Sequence, residues 1–131
     1  MTDLYLAIVL GHFVGDYLLQ NLPMALHKST KGAAGIAWCT LHCLIYAAAV
    51  ALFTWRADPV FLGLVFLSHW PIDRWSLAAK WLKLIGGRDL FAAFASKNKY
   101  RDLEVGFACL VYAVADNTMH LVLLWLIAKY S

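Results

Sequence analysis

Four apolar segments, each near the length of one membrane crossing, dominate this chain of 131 residues. They extend over residues 4–22, 33–55, 60–85 and 103–128. A helix needs about 20 apolar residues to cross the hydrocarbon core of a bilayer. Because a segment in lipid must bond its own backbone polar groups, such runs favour helices. The sequence therefore predicts an all-α, integral membrane four-helix bundle, with residues 1–131 forming a single transmembrane domain.

The composition agrees with a chain that lies in lipid. Hydrophobic residues make up 63% of the sequence and charged residues 15%, whereas about 25% of the residues of a soluble domain are charged. The formal net charge is only +3, and the basic residues cluster in loops instead of forming a stripe that would bind nucleic acid. We therefore expect the lipid bilayer to be the main partner and expect no nucleic acid. The oligomeric state stays open, a homo-oligomer included.

The basic residues also predict an orientation. Two connections, residues 27–32 and residues 86–102, carry most of them: Lys28, Lys31, Arg88, Lys97, Lys99 and Arg101. The opposite side carries only Arg56 and Lys129. Since cytoplasmic loops are enriched in lysine and arginine, we expect both connections in the cytoplasm and both termini outside. A short interfacial helix is predicted over residues 90–95.

Histidine and aspartate recur at a spacing of four residues inside the apolar segments. Residues four apart lie on one face of a helix, so each pair points in one direction, and Gln20 continues the first stripe by another turn. The second segment carries a single histidine. The residues concerned are His12 and Asp16, His42, His69 and Asp73, and Asp116 and His120.

The pairs also share a depth in the predicted bundle. Counted from the outer ends at about 1.5 Å per residue, His12, His69 and His120 each lie about nine or ten residues in. The aspartates lie one turn deeper, and His42 falls near the same layer. The fourth segment has aspartate before histidine, as its opposite direction requires. These depths predict a common polar centre inside the bundle.

Burying these carboxylates is costly, and a metal would reduce the cost. An aspartate at a helix centre costs about 2.5–3.5 kcal/mol on the insertion scale. No lysine lies inside the four segments near the three aspartates, and Arg74 could offset only one of them. Mixed imidazole and carboxylate ligands favour one or two divalent transition-metal ions, with Zn²⁺ first and Mn²⁺ or Fe²⁺ as alternatives. The candidate ligands are His12, Asp16, His42, His69, Asp73, Asp116 and His120.

Seven candidates exceed what one tetrahedral ion uses. The surplus allows two ions, or one ion with outer-sphere partners and a general base. Asp16, Asp73 and Asp116 are the candidate catalytic carboxylates. Gln20, Asn117 and Arg74 are the candidate outer-sphere residues. A hydrogen-bonded structural network without metal is the alternative, but three pairs at one depth favour a metal.

The whole pattern resembles the DUF3307 family, small bacterial and phage membrane proteins without an established activity. That family has H-x-x-x-D-x-x-x-Q in the first span, a histidine in the second, H-x-x-x-D in the third and D-Q-x-x-H in the fourth. Nearly the whole chain fits, except that Asn117 stands where the family usually has glutamine. The resemblance implies a multi-pass protein of the bacterial inner membrane. A looser similarity to membrane-bound metal-dependent hydrolases of the YdjM type implies hydrolysis and leaves the substrate open.

Three functions fit these predictions. The first is an integral-membrane metal-dependent hydrolase that activates a water and acts on a lipid or lipid-linked substrate, because its site lies within the bilayer. The second is a divalent-metal or proton transport or relay protein, which a ladder of carboxylates reaching both faces would favour. The third is a metal-stabilised interaction module without catalysis. The polar residues form only about two layers, which favours a closed site and an enzyme.

Overall fold

Helices account for all the regular structure in the computed structural model, which describes residues 2–131. This part of the chain forms seven α-helices, one π-helical turn and no strand. In chain order they are α1 (Thr2–Phe13), the π turn (Val14–Leu18), α2 (Leu22–His27), α3 (Ala33–Thr54), α4 (Pro59–Trp75), α5 (Leu77–Gly86), α6 (Leu90–Ala95) and α7 (Arg101–Tyr130). The predicted all-α class is confirmed.

Two of the four predicted segments are single helices. They are α3 and α7, and both are long and apolar enough to cross a membrane. The first segment instead ends at Leu18, after α1 and the π turn, which together have 17 residues, 12 and 5 respectively. The side chain of Asn21 then accepts a hydrogen bond from the backbone N–H of Met24 at 3.0 Å and starts α2. Asn21 is a typical N-cap, and Pro23 lies in the first turn, so this proline starts a helix and does not stop one.

The third predicted segment is divided as well. Helix α4 continues through Pro71 and ends where Ser76 adopts the left-handed conformation, with φ of 49°. Helix α5 follows directly, and its basic residues Lys80 and Lys83 are exposed. The predicted interfacial helix over residues 90–95 coincides with α6. The prediction of four uninterrupted helices is therefore wrong for the first and third segments. Both interruptions lie at one end of the molecule, where α2, α5 and α6 are found.

Helices α1, α3, α4 and α7 enclose a common interior. Helix α1 packs on α3, α3 on α4, α4 on α7 and α7 back on α1. Toward the chain termini this interior is filled by a cluster of buried apolar and aromatic side chains: Ile8, Tyr46, Ala47, Val50, Phe61, Val65 and Leu124. The connections over residues 27–32 and 86–100 lie at the other end.

The outward faces of these helices are apolar. On α7, Leu103, Phe107, Leu110 and Val114 follow helical spacing and are each more than half exposed. Exposed leucines on the other helices extend this surface: Leu6, Leu44, Leu52 and Leu67. Monomeric soluble proteins rarely expose contiguous apolar patches larger than a few hundred Å².

Helices α1 and α3 approach closely because glycine occupies the contact. A Cβ atom at Gly11 would lie 2.9 Å from the Cα atom of Val50, and one at Gly15 would lie 2.8 Å from Cδ2 of Tyr46. Both distances are shorter than nonbonded carbon atoms tolerate. The two glycines therefore set the spacing of these helices.

We expect Gly11→Ala to lower the free energy of unfolding by about 1–3 kcal/mol, because overpacking of a fixed contact has that cost. Thermal unfolding in detergent, followed by circular dichroism, measures the effect. Gly106→Ala is the matched control, since nothing lies within 4 Å of a Cβ there and alanine favours a helix over glycine by about 1 kcal/mol. Equal behaviour of the two variants would contradict the close contact.

Candidate functional site

Four polar atoms from three elements meet in the interior of the helices. The ring atoms His42 Nε2 and His69 Nε2 lie 3.1 Å apart. Asp16 Oδ1 is 3.1 Å from His42 Nε2 and 3.3 Å from His69 Nε2. Asp73 Oδ2 is 3.0 Å from the first nitrogen and 3.2 Å from the second. All four residues are buried; we call Asp16, His42, His69 and Asp73 the His/Asp centre.

Hydrogen bonds alone do not account for this centre. Each Nε2 atom carries one proton at most, and an ionised carboxylate carries none. His42 Nε2 nevertheless faces three polar atoms within 3.1 Å, and His69 Nε2 faces the same two carboxylates. Two protons cannot serve five short contacts. A cation shared by the four atoms would serve them all, and these side chains could hold one ion.

The π turn brings Asp16 to the centre. A π turn contains one more residue per turn than an α-helix, and such turns are frequent at functional sites. Asp16 and Gly15 are the buried residues of this turn. Because Gly15 has no side chain, the turn can lie against Tyr46 of α3, and the carboxylate of Asp16 reaches across to His42.

A second group of polar side chains shares members with the first. Asp16, Asp116 and His120 also offer ligand atoms within 4.8 Å of one another. His120 Nε2 is 3.4 Å from Asp73 Oδ1 and 3.7 Å from Asp116 Oδ2. The two oxygens of Asp73 therefore face different groups, and this carboxylate links them.

Aromatic stacking sets the direction of the imidazole rings. The Tyr46 and His69 rings stack with centroids 3.6 Å apart, and the His120 ring stacks on His69 with centroids 4.0 Å apart. Within residues 2–131, Nδ1 of His42 and Nδ1 of His69 have no hydrogen-bond partner. Packing, and not a hydrogen bond to the second ring nitrogen, thus orients these two rings.

His12 lies beside the His/Asp centre and belongs to neither group. Its Nδ1 atom is 2.9 Å from the hydroxyl of Tyr46 and its Nε2 atom is 2.7 Å from Oδ1 of Asn117. Since the amide oxygen only accepts, His12 Nε2 donates, and Nδ1 then accepts from Tyr46. The remaining amide group of Asn117 donates to the hydroxyl of Tyr17. Both ring nitrogens of His12 are therefore already bonded, although the sequence groups this histidine with the ligands.

Lys28 supplies a positive charge that the sequence does not predict at this site. Its Nζ atom is 2.7 Å from Asp73 Oδ2, and its side chain is only 18% exposed. Burial alone would lower the pKa of Lys28, but the adjacent Asp73 carboxylate outweighs it and the pKa is raised, so the side chain is charged. Arg74, the residue predicted to offset an aspartate, makes no ion pair in the part of the chain that the structure describes.

The connection after α2 holds Lys28 in place. Met24 anchors α2 with only 5% of its surface exposed, and the N–H of Lys28 bonds to the carbonyl of Met24 at 3.0 Å. Further on, the carbonyl of Thr30 lies against Gly35, where a Cβ would be only 1.9 Å away. The glycine at position 35 allows the connection after α2 to pack against α3. In this position the connection directs the ammonium group of Lys28 toward the interior.

A cleft opens beside the two groups. Its volume is about 270 Å³, and its polar lining comprises Asp16, Tyr17, Gln20, Lys28, Tyr112 and Asp116. The Oε1 atom of Gln20 is buried and has no hydrogen-bond partner among residues 2–131. Gln20 thus faces the cleft and not the His/Asp centre.

Sequence reasoning missed four residues of the site: Tyr17, Lys28, Tyr46 and Tyr112. Tyr17 directly follows Asp16, and its contact with Asn117 depends on how the π turn folds. Tyr46 follows His42 by four residues, so its place on the same helix face was a usable signal. Lys28 carried no such signal, because Lys31 of the same loop is exposed and the two differ only in how the loop folds. Tyr112 precedes Asp116 by one helical turn, which was again a usable signal.

The fold and the site together define a class: an all-α protein with a buried His/Asp centre that could hold a divalent cation. The chain belongs to the DUF3307 family, whose description is "Protein of unknown function (DUF3307)" and which matches residues 4–131. The family predicted from the sequence is thereby confirmed. No curated protein and no solved structure matches the chain.

We expect Tyr46→Phe to destabilise the protein by about 1–3 kcal/mol, because it leaves the buried Nδ1 of His12 without its donor. The ring that stacks on His69 is retained, so the change isolates the hydroxyl. Chemical unfolding in detergent measures the difference. Tyr5→Phe is the control, since Tyr5 is 41% exposed; a loss as large in that variant would contradict the assignment.

Proposed function

We propose that this protein is an integral-membrane metal-dependent hydrolase of the bacterial inner membrane. Its substrate is a lipid or a lipid-linked molecule. The observation that carries the proposal is that His42 Nε2 and His69 Nε2 lie 3.0–3.3 Å from each other and from both Asp16 Oδ1 and Asp73 Oδ2. The similarity to YdjM-type hydrolases stays a prediction and adds no weight here.

The distances in the His/Asp centre suit a tetrahedral ion. Zn²⁺ binds imidazole nitrogen and carboxylate oxygen at about 2.0–2.2 Å, and four ligands at 2.0 Å around a tetrahedral ion lie about 3.3 Å apart. The five measured separations are 3.0–3.3 Å. Histidine and aspartate also suit Mn²⁺ or Fe²⁺, but those ions prefer more ligands than this centre offers. Zn²⁺ is therefore the ion that we propose first.

The second group supports a second ion. Asp16 and Asp73 are placed to contribute to both groups, and His120 of α7 is the further ligand that we assign to the second ion, which leaves Asp116 unligated. Hydrolytic enzymes with two ions about 3.5–4 Å apart use such shared carboxylates to hold both. Its contacts are longer than those of the first group, so we expect the second ion to bind more weakly.

The inverted distribution of polarity supports a position in the bilayer. The polar side chains converge inside, and the outward faces of α3 and of α7 beyond its charged first turn are largely apolar. We propose that α1 with the π turn, α3, α4 and α7 form a four-helix bundle within the membrane. Helix α5, with Lys80 and Lys83, and helix α6, flanked by Arg88 and Lys97, then lie at the cytoplasmic surface, as the distribution of basic residues predicts.

The side chains divide the work of hydrolysis between them. Bound divalent ions lower the pKa of water and polarise a carbonyl or phosphoryl oxygen. Asp116 is the carboxylate that we assign as general base, because 19% of its side chain is exposed and it lines the cleft. Asp16 and Asp73 are more deeply buried, and both stand in the four-atom centre, where ligation leaves them little basicity.

The closed end of the bundle argues against a transport path. Between the His/Asp centre and the chain termini, the interior is filled by apolar side chains, among them Val50, Phe61, Val65 and Leu124. A relay would need carboxylates or histidines to continue through this layer. The cleft lies instead beside α2 and Lys28, which supports a site that a substrate reaches from that side, as in an enzyme.

Metal analysis tests the proposal. We expect detergent-purified protein to hold one or two zinc ions per chain, and we expect His42→Ala and His69→Ala each to lower zinc affinity by more than about hundredfold, because loss of an outer-sphere partner alone costs 10–100-fold. His12→Gln should retain zinc within about tenfold. The loop variant His27→Ala is the matched control, and thermal unfolding checks that each variant folds.

Two outcomes would contradict the proposal. The metal centre fails if folded wild-type protein holds no transition metal. The hydrolase proposal fails if zinc-loaded protein cleaves no ester or phosphate ester of membrane lipids, and the assignment of Asp116 fails if Asp116→Asn cleaves them at the wild-type rate. Zinc without cleavage would instead favour the metal-stabilised interaction module.

The orientation has its own test. In a Cys109→Ala background we expect Asp58→Cys, in the turn between α3 and α4, to react with a membrane-impermeant maleimide on intact spheroplasts. Lys99→Cys, in the connection between α6 and α7, should react only after lysis. Both side chains are exposed, so accessibility within the fold does not confound the comparison. The reverse pattern would contradict the orientation, and equal labelling in intact cells would contradict the membrane position.

A further inference from the structure

We infer that the cleft beside the His/Asp centre binds a phosphate monoester of a lipid and that Lys28 holds the phosphate oxygens. This inference rests on the proposed function and narrows its substrate class. It distinguishes a phosphate-bearing lipid from a neutral lipid ester or amide.

The ammonium group of Lys28 can bind an anionic ligand in addition to Asp73. Its ammonium group has three N–H donors, and the structure uses one of them, toward Asp73 Oδ2 at 2.7 Å. The side chain also lines the cleft. Two donors thus remain for a ligand that enters beside the carboxylate. Charged hydrogen bonds to phosphate are shorter and stronger than neutral ones.

The balance of charge favours an anionic substrate. Ionised Asp16, Asp73 and Asp116 carry three negative charges, and Lys28 carries one positive charge. Two divalent cations in the groups described above would leave a surplus of two positive charges in an apolar surrounding. A phosphate monoester carries up to two negative charges near neutral pH and would neutralise this surplus. A neutral ester would leave it uncompensated.

Neutral donors complete the cleft. Gln20 lines the cleft, and the NH₂ group of its amide is a neutral donor for a phosphate oxygen. The hydroxyl of Tyr17 accepts a hydrogen bond from Asn117, so its own proton is free to be donated. These groups give a phosphate three kinds of donor in one cleft.

The mouth of the cleft fits an apolar tail. Leu18 and Leu22 flank the lining residues Tyr17 and Gln20 along the chain, and they are 77% and 70% exposed. In the proposed orientation this side faces the cytoplasmic half of the bilayer. A lipid can therefore keep its chains among these leucines while its phosphate reaches Lys28.

The reaction is then hydrolysis of the phosphate ester. The oxygen of a water forms a new bond to phosphorus, and the bond from phosphorus to the lipid oxygen breaks. Asp116 takes one proton from the water and returns it to the departing lipid oxygen. The products are a lipid alcohol and inorganic phosphate, and no oxidant or reductant takes part.

Calorimetric titration of zinc-loaded protein with inorganic phosphate, and with phosphatidic acid in detergent micelles, tests the inference. We expect Lys28→Ala to weaken binding of both ligands by about tenfold or more, the usual worth of a charged hydrogen bond. Lys31→Ala is the matched control from the same loop and should bind like the wild type. Gln20→Leu, which leaves the Lys28–Asp73 pair intact, should also weaken binding and covers the case in which Lys28→Ala does not fold.

The outcomes separate the two proposals. Zinc in all variants with equal phosphate affinity in wild type, Lys28→Ala and Gln20→Leu overturns the inference and leaves the metal centre standing. A wild-type protein that holds zinc but binds no phosphate also overturns the inference and leaves the metal centre standing. Absence of zinc from the wild type overturns both. Tighter binding of phosphatidic acid than of inorganic phosphate supports the lipid ester, whereas equal affinity overturns the lipid part.

Discussion

Charge buried in an apolar surrounding is the constraint on which the rest of this structure depends. The carboxylates of Asp16 and Asp73 lie inside helices whose outward faces are themselves apolar. An isolated ionised group in such a place is so unfavourable that it must be paired or coordinated. The imidazoles of His42 and His69 and the ammonium of Lys28 are partners of these carboxylates, and the metal that we propose would be a further partner. Each of the helices around the interior contributes at least one of the polar side chains that surround them.

Much of this arrangement could be predicted, because helical geometry links spacing in the sequence to direction in space. The pair His69 and Asp73 and the pair Asp116 and His120 each lie one turn apart on one helix. Comparing depths along antiparallel helices placed them in the same layers, and the structure brings them together with Asp16 and His42. Apolar segment length gave the positions of α3 and α7 to within two residues at each end. Periodicity and length are local properties of the chain, which is why they were sufficient here.

What could not be predicted depends on contacts between distant residues. His12 and His69 have the same spacing to an aspartate, yet His12 is bonded at both nitrogens by Tyr46 and Asn117 while His69 faces the two carboxylates. Lys28 lies in a connection whose sequence resembles that of any exposed basic loop. Only the folding of α2 directs this lysine toward the interior. Helix α4 ends at Ser76, a left-handed residue that is not glycine. The sequence therefore lacks the usual signal of a helix end, and the third apolar segment was predicted as continuous.

The π turn makes the number of residues between His12 and Gln20 important for the position of Asp16. An additional residue in one turn advances the phase of the helix by about 100°. Gln20, which a regular helical projection aligns with His12 and Asp16, instead lies two residues beyond the end of the π turn, in the wall of the cleft. Deleting one residue between His12 and Gln20 would not merely shorten a loop. It would rotate a carboxylate out of the interior, so this stretch tolerates changes of residue type far better than changes of residue number.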